Sequence, residues 1–251
     1  MKRDIMQIIY GVNPVLEALK SDGGGIKKIV VASGRSGENV REILKLAGQK
    51  GIDVEFEERE YLKRLTGGKS HQGIVCLCKE YSYSGIDEII ENRCGSFKDS
   101  LILILDGITD PQNLGSLIRT AHCCGANGVI IPEDRAASVT PAVMKASAGA
   151  AQHIPIAKVV NISKTIDYLK EKGFWIYGAD ADAGQGQDVY SFDYDGHIGL
   201  VMGSEGKGIR PLVRKKSDFF VSVPIMGKID SLNVSVAAGV ILYEMVRKRF
   251  V

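Results

Sequence analysis

Apolar positions along this chain follow two rhythms. At Val40, Ile43, Leu44 and Ala47 they recur at i, i+3, i+4 and i+7, which predicts a helix over 38–49 with Gly51 just past its end. At Ile52, Val54 and Phe56 they alternate, as in a half-buried strand. Further helices are predicted from Asn13-Pro14 to Lys20, with Asn as cap and Pro at the first helical position, and over 61–65. Strands are predicted over 27–31 and 73–78, and a loop over 21–25. The first 79 residues thus form a small α/β unit, and 80–98 read as a linker with one amphipathic turn at Ile86, Ile89 and Ile90.

A second series occupies 99–251. The run Leu101–Leu105 has no polar alternation, so both its faces are expected to be buried, as in a parallel sheet. Strands follow at 128–131, 174–177, 198–202 and 219–223; helices at 113–124, 141–147, 163–172 and 234–249. This alternation predicts an α/β domain with a mostly parallel sheet flanked by helices. The acidic, glycine-containing stretch 180–195 reads as a loop excursion.

Composition, with 45% apolar and 25% charged residues, is that of a globular protein and excludes a disordered chain. The apolar runs fall far short of the ~20 residues of a membrane span. The opening MKRDIMQIIYGVNP lacks the apolar core of a signal peptide, so a cytoplasmic protein with no membrane partner is expected. Cys76, Cys78, Cys94, Cys123 and Cys124 contain no C-x-x-C pair. Neither a disulfide framework nor a metal is expected, and His122-Cys123-Cys124 read as buried or half-buried structural residues. Residues 1–79 carry 14 Lys and Arg against 10 Asp and Glu, whereas 80–251 carry 18 against 20. The basic part is the N-terminal one; many surfaces are mildly basic for solubility alone, but if RNA binds, its phosphate contacts would start there.

Parallel sheets bind ligands beyond the carboxyl ends of their strands. Three segments fall there: Asp110–Gly115, Gly203–Gly208, and Pro224–Asn233 at the entrance to the last helix. A dehydrogenase would carry its glycine turn after the first strand, as G-x-G-x-x-G; here the turn follows a late strand and lacks that spacing. Gly67-Gly68-Lys69-Ser70 mimics the end of a P-loop, but the required earlier glycine is Lys63. Taken singly, the remaining residues have ordinary readings. Asn113 is a helix cap, Ser231 and Asn233 are helix-entry residues, and Glu205 caps or pairs. Arg119 lies about 140° from the stripe Leu114, Leu117, Ile118 and Ala121, and faces away from its own core.

Taken in order they form a pattern. Asn113-x-Gly115-x-x-x-Arg119, Gly203-x-Glu205-x-x-Gly208 and Pro224-x-x-Gly227-x-x-x-Ser231-Leu232-Asn233 resemble the three motifs of the SpoU (TrmH-like) branch of SPOUT RNA 2′-O-ribose methyltransferases. Ser147-Ala-Gly-Ala150 is similar to that family too, and the resemblance spans about residues 100–251. Tyr10-Gly-Val-Asn-Pro14 and His71-Gln72-Gly73 resemble the family's small substrate-binding domain, which is similar to ribosomal protein L30. The whole chain is most similar to members that methylate a guanosine of bacterial 23S rRNA.

The resemblance implies a C-terminal domain with a deep trefoil knot, a homodimer, and S-adenosylmethionine (AdoMet) bound at Gly203, Val223, Ile225 and Leu232. It implies a methyl transfer to a ribose 2′-hydroxyl with Arg119 as the central catalytic residue, completing the active site of the partner subunit. A free guanidinium stays protonated at physiological pH, so Arg119 is expected to hold the adjoining phosphate and stabilise developing charge. Asn113 and Glu205 would orient the loops, and Ser231 and Asn233 would shape the pocket. Lys27, Lys28, Arg59, Lys63, Arg64 and Lys69 would supply RNA phosphate contacts. The motifs report the reaction and not the RNA: 23S rRNA is favoured, and a tRNA methyltransferase or a non-catalytic ribosome-assembly factor on the same fold are the alternatives.

Overall fold

The computed structural model describes residues 6–20, 25–79, 81–92, 98–180, 187–228 and 230–249. The chain divides into two compact units, Met1–Ser82 with Val139–Lys145, and Tyr83–Ser138 with Ala146–Val251.

The smaller unit runs β1 (Met6–Tyr10), α1 (Val12–Lys20), β2 (Ile26–Ala32), α2 (Glu38–Gln49), β3 (Asp53–Glu57), α3 (Arg59–Leu65) and β4 (Ile74–Lys79). Its sheet has the order β1-β4-β2-β3, antiparallel except for β2 with β3. Alternation sorts its strand residues onto two faces. Ile29, Val31, Ile74, Cys76 and Cys78 pack with α1 and α2, while Val30, Ala32 and Val75 pack with Leu62 of α3.

Three expectations change here. β1 is an additional strand, whose pairing with β4 no local pattern announces. α1 begins at Val12 rather than at a capping Asn13, because Gly11 turns the chain at φ +97° and the Gln72 side chain accepts from the Val12 N–H at 3.1 Å. A residue sixty positions away does the capping. Phe56 is 58% exposed, since β3 is an edge strand and cover reaches only Val54.

The larger unit contains α4 (Ile86–Glu91), β5 (Leu101–Asp106), α5 (Pro111–Cys123), β6 (Gly128–Pro132), α6 (Pro141–Ala146, most of which groups with the smaller unit), β7 (Ile156–Val159) and α7 (Ile162–Glu171). It continues with β8 (Phe174–Ala179), β9 (Gln187–Asp188), β10 (His197–Gly203), α8 (Pro211–Lys216), β11 (Phe219–Ser222) and α9 (Val234–Arg249). The sheet order is β7-β6-β5-β10-β8-β11-β9, with every pair parallel. As the apolar run predicts, β5 is buried from end to end. Ile102, Ile104, Ile130, Ile176 and Val201 pack under α7 and α8, together with Ile89 from α4. The amphipathic turn of the expected linker is thus part of this core. On the opposite face lie α5 and α9, which pack on each other and touch β6 and β10.

Residues 181–186 lie outside the described residues, but 187–195 are no simple excursion. β9 extends the sheet beside β11, and Tyr194 is buried with its hydroxyl donating to Val189 O at 2.6 Å. The aromatic rings of Phe192 and Tyr194 pack against Tyr177, which anchors a segment whose acidic residues suggested solvent. In the triplet after Ala121, Cys124 is buried and its thiol pKa is pushed up to about 12, chiefly by burial. Cys123, expected to be at least half-buried, is exposed at the end of α5.

Candidate active site

The site is built where β5, β10 and β11 end. After β5, Asp110 caps α5: its carboxylate accepts from the N–H groups of Gln112 (3.3 Å) and Asn113 (3.0 Å), with Pro111 in the first turn. Asn113 is therefore not the cap, and its amide is available elsewhere. α5 can approach the 146–147 segment only because residue 115 is glycine; a Cβ there would lie 2.4 Å from Ala146 Cβ.

After β10 the chain closes a small loop. Ser204 N–H donates to Gly208 O at 3.1 Å and Gly208 N–H to Ser204 O at 2.8 Å. Gly203 sits inside this closure, where a Cβ would lie 2.2 Å from the Gly208 carbonyl carbon. Only glycine permits that backbone approach. The loop is tied down by Asp106, a carboxylate almost fully buried at the end of β5. It accepts from the Arg210 backbone N–H at 2.8 Å and from Arg210 Nε at 2.6 Å. The sequence reading passed over this pair, although an aspartate ending an otherwise apolar strand is its signal.

After β11, Asn233 opens α9. Its Oδ1 accepts from Ser235 N (2.9 Å) and Ser235 Oγ (2.6 Å), while its Nδ2 donates to Glu205 Oε1 at 2.8 Å and to Asn113 Oδ1 at 3.0 Å. Asn113 Nδ2 in turn donates to Glu205 Oε1 at 3.2 Å. One triangle of hydrogen bonds thus joins all three motif segments. Asn233 serves as helix cap and cross-link at once.

Beside the triangle lies a cavity of about 580 Å³. Its lining includes all four residues expected to hold AdoMet, Gly203, Val223, Ile225 and Leu232, and also Glu205, Ser231 and Asn233. The walls are apolar, with Met202, Val221 and Ile241 completing them, and the lining also includes the acidic residues Glu205, Asp230 and Asp180, the last paired with Arg214. That combination suits a ligand with an apolar body and positive charge, in a volume typical of small-molecule sites, which span ~300–1,000 Å³. Asn113 reaches the site through its hydrogen bonds without lining the cavity. Arg119 is exposed on α5, does not line the cavity, and makes no ion pair or hydrogen bond with any described side chain.

In the smaller unit the six expected phosphate-binding residues stand on β2 (Lys27, Lys28), on α3 (Arg59, Lys63, Arg64) and just after α3 (Lys69). Lys28 pairs with Glu55 at 2.6 Å, which holds its ammonium more firmly protonated, and Lys63 pairs with Glu60 at 3.4 Å. Arg64 lies over the Tyr61 ring, and Lys27 and Lys69 are exposed. Arg59 lines a cavity of about 860 Å³ in this unit, which the other five do not.

Residues 100–243 match the SpoU rRNA methylase family, and residues 8–84 match the substrate-binding domain of RNA 2′-O ribose methyltransferases. The chain belongs to the SpoU methyltransferase family. Among SpoU relatives, it is 40% identical to the TrmH-family protein YacO of Bacillus subtilis over 96% of this chain and 95% of that one. A TrmH-family protein of Staphylococcus epidermidis is 41% identical, over 96% of each chain. Among solved SpoU structures, AviRb of Streptomyces viridochromogenes in complex with AdoMet superposes with a TM-score of 0.61 at 26% identity, covering 98% of this chain and 91% of that one. An AdoMet-bound rRNA methyltransferase of Sinorhizobium meliloti gives 0.60 at 25% identity, covering 96% and 87%. A TrmH/SpoU tRNA modifying enzyme of A. aeolicus gives 0.56 at 28% identity but covers only 65% of this chain and 80% of its own.

Proposed function

We propose that this protein, an AdoMet-dependent RNA 2′-O-ribose methyltransferase, acts on 23S rRNA and that a guanosine is its target. The observation that carries the reaction is the Asn113–Glu205–Asn233 triangle at the rim of the 580 Å³ cavity. Three segments far apart in sequence are locked into one binding surface by the residues the SpoU motifs share. Support for rRNA comes from coverage: the likeness to the Sinorhizobium meliloti rRNA methyltransferase spans 96% of this chain, whereas the likeness to the tRNA modifying enzyme spans only 65%.

Bound AdoMet would supply an electrophilic methyl group on a positively charged sulfur. The chain's own contribution is alignment. The closed backbone of 203–208, anchored by Asp106 and Arg210, forms one wall, with Val223, Ile225 and Leu232 as the others. Asn113, Glu205 and Asn233 keep the three turns in register, and Ser231 shapes the mouth. Arg119 does not line its own cavity and makes no ion pair or hydrogen bond with any described side chain. In this reading the chain works as a cytoplasmic homodimer with a knotted catalytic domain. The partner's Arg119 holds the phosphate beside the target ribose and stabilises charge developing on the 2′-oxygen.

The test is transfer of a labelled methyl group from AdoMet to total rRNA and, separately, to total tRNA, followed by mapping of the labelled ribose. Label on a 23S guanosine is expected. Label confined to tRNA would overturn the target, and no label on either would overturn the reaction.

A further inference from the structure

The acidic stretch 180–195 carries five aspartates and no lysine or arginine. Its second half, 188–195, contributes nothing to the 580 Å³ cavity. It is held instead against the sheet face where Trp175 and Phe219 are exposed. On β8, Phe174 and Ile176 are buried under α7 and α8, so alternation sends Trp175 and Tyr177 to the other face. Phe219 of β11 stands opposite Tyr177 in the register, on that same face. The rings form one cluster: Trp175 lies 5.7 Å from Phe219, and Phe219 lies 4.9 Å from Tyr177 and 5.8 Å from Phe192. Tyr177 and Tyr194 are buried, but Trp175 is 52% exposed and Phe219 36%. Trp175 precedes Ala179, which lines the 580 Å³ cavity, by four residues, so this aromatic shelf stands about 13 Å from it along the strand.

Three aspartates border the rings. Burial first, and then the charges of Asp195, Asp218 and Asp193, hold the Tyr177 hydroxyl above its ordinary pKa range. Asp218 is spent on Lys170 at 2.6 Å and on the Ile176 N–H at 2.8 Å. Asp193 meets Lys248 at 3.2 Å and is still 85% exposed. Asp195, also exposed, makes no hydrogen bond or ion pair with any described residue. It adjoins Trp175, because a Cβ on the next residue, Gly196, would lie 3.8 Å from Trp175 Cδ1. The basic groups that reach this end are committed: Lys170 and Lys248 to those acids, and Arg249 to the carbonyls of Asp99, Ser100 and Gly196. Among the described residues, cations lie over Tyr61, Tyr83, Tyr168 and Phe220, and none lies over Trp175, Phe219 or Phe192. A tryptophan face attracts cations best among side chains, and a guanidinium can stack on it while donating to a carboxylate. RNA does not suit this face: bases stack on aromatic rings, but the phosphates would meet Asp193 and Asp195.

We propose that this face docks an arginine-bearing segment of a partner protein, with one guanidinium stacked on Trp175 and bonded to Asp195 and a second held by Asp193. The apolar stems of the arginines cover Phe219. The surface is separate from methyl transfer and does not depend on it.

The test uses the full chain and its own fluorescence, since Trp175 is the one tryptophan. Octa-arginine should change the Trp175 emission saturably. Octa-lysine should bind about fivefold more weakly, because an ammonium lacks the planar stacking surface. Octa-uridylate should leave the emission unaltered. With labelled octa-arginine followed by anisotropy, Trp175→Ala should weaken binding about tenfold, and Asp193→Asn combined with Asp195→Asn should do the same. All three side chains are exposed, so these variants keep the fold, which urea unfolding checks. Unaltered emission with octa-arginine, or wild-type affinity in both variants, would overturn the proposal. A response to octa-uridylate but not to octa-arginine would make this an RNA face and overturn it. A lower sedimentation coefficient in Trp175→Ala would make it a contact between copies of this chain and overturn it as well.

Discussion

The two units hold their polar groups in opposite ways. In the larger unit the site's side chains are spent on one another. Asn113, Glu205 and Asn233 form a closed triangle, and Asp106 is buried under Arg210. In the smaller unit Lys28 and Lys63 are paired with neighbouring acids, whereas Asn13 and Arg59, which make no hydrogen bond or ion pair with any described residue, line a hollow. A site that must place a reacting methyl group needs rigid, pre-satisfied turns. A surface that captures a flexible polymer needs donors still open to it.

This contrast can be broken in graded ways. The largest effect belongs to Gly203→Val, which drives side-chain atoms into the Gly208 backbone. AdoMet affinity should fall about a hundredfold or more as the loop is forced open, measured by titration calorimetry, while the fold of the smaller unit persists. Next is the buried carboxylate. Arg210→Ala strands Asp106 without its charged partner and should cost about 3 kcal/mol in urea unfolding. Asp106→Asn leaves a half-exposed guanidinium that water can serve, and should cost about 1–2 kcal/mol. Equal costs would mean that the desolvated carboxylate is not what holds the loop. Third, Asn233→Ala removes both the α9 cap and the link between motifs, and should lower turnover about a hundredfold while the RNA affinity holds. The smallest effect lies in the other unit. Lys63→Ala should change RNA affinity by less than about twofold, because Glu60 already takes much of its charge and exposed pairs contribute little. A large loss there would erase the distinction between paired and unengaged cations.

How much was legible in sequence follows the same division. β5 reads directly because both its faces are buried, and the helices α2 and α9 match the predicted 38–49 and 234–249, since periodicity and flanking residues agree. The motif turns are legible because they must be where parallel strands end. What sequence conceals is set by distant partners. The cap on α1 comes from Gln72, β1 exists only through β4, and Asn113 is freed from capping by Asp110. The pairing of Lys28 with Glu55 and of Lys63 with Glu60 likewise forms only when strand pairing and a helix turn bring the partners together. Arg35, whose Nε donates to the carbonyl of Gln72, 37 residues away, carries no local signal.

The central claim is that the turns after β5, β10 and β11 bind AdoMet while Arg119, outward on α5, serves the transfer. Arg119→Ala, assayed side by side for AdoMet affinity and for methyl transfer to rRNA, tests it most directly. The account predicts AdoMet affinity within about twofold of wild type and a loss of turnover of about a thousandfold, the scale of removing a group that stabilises transition-state charge. Parallel loss of binding and turnover, or undiminished turnover, would contradict it.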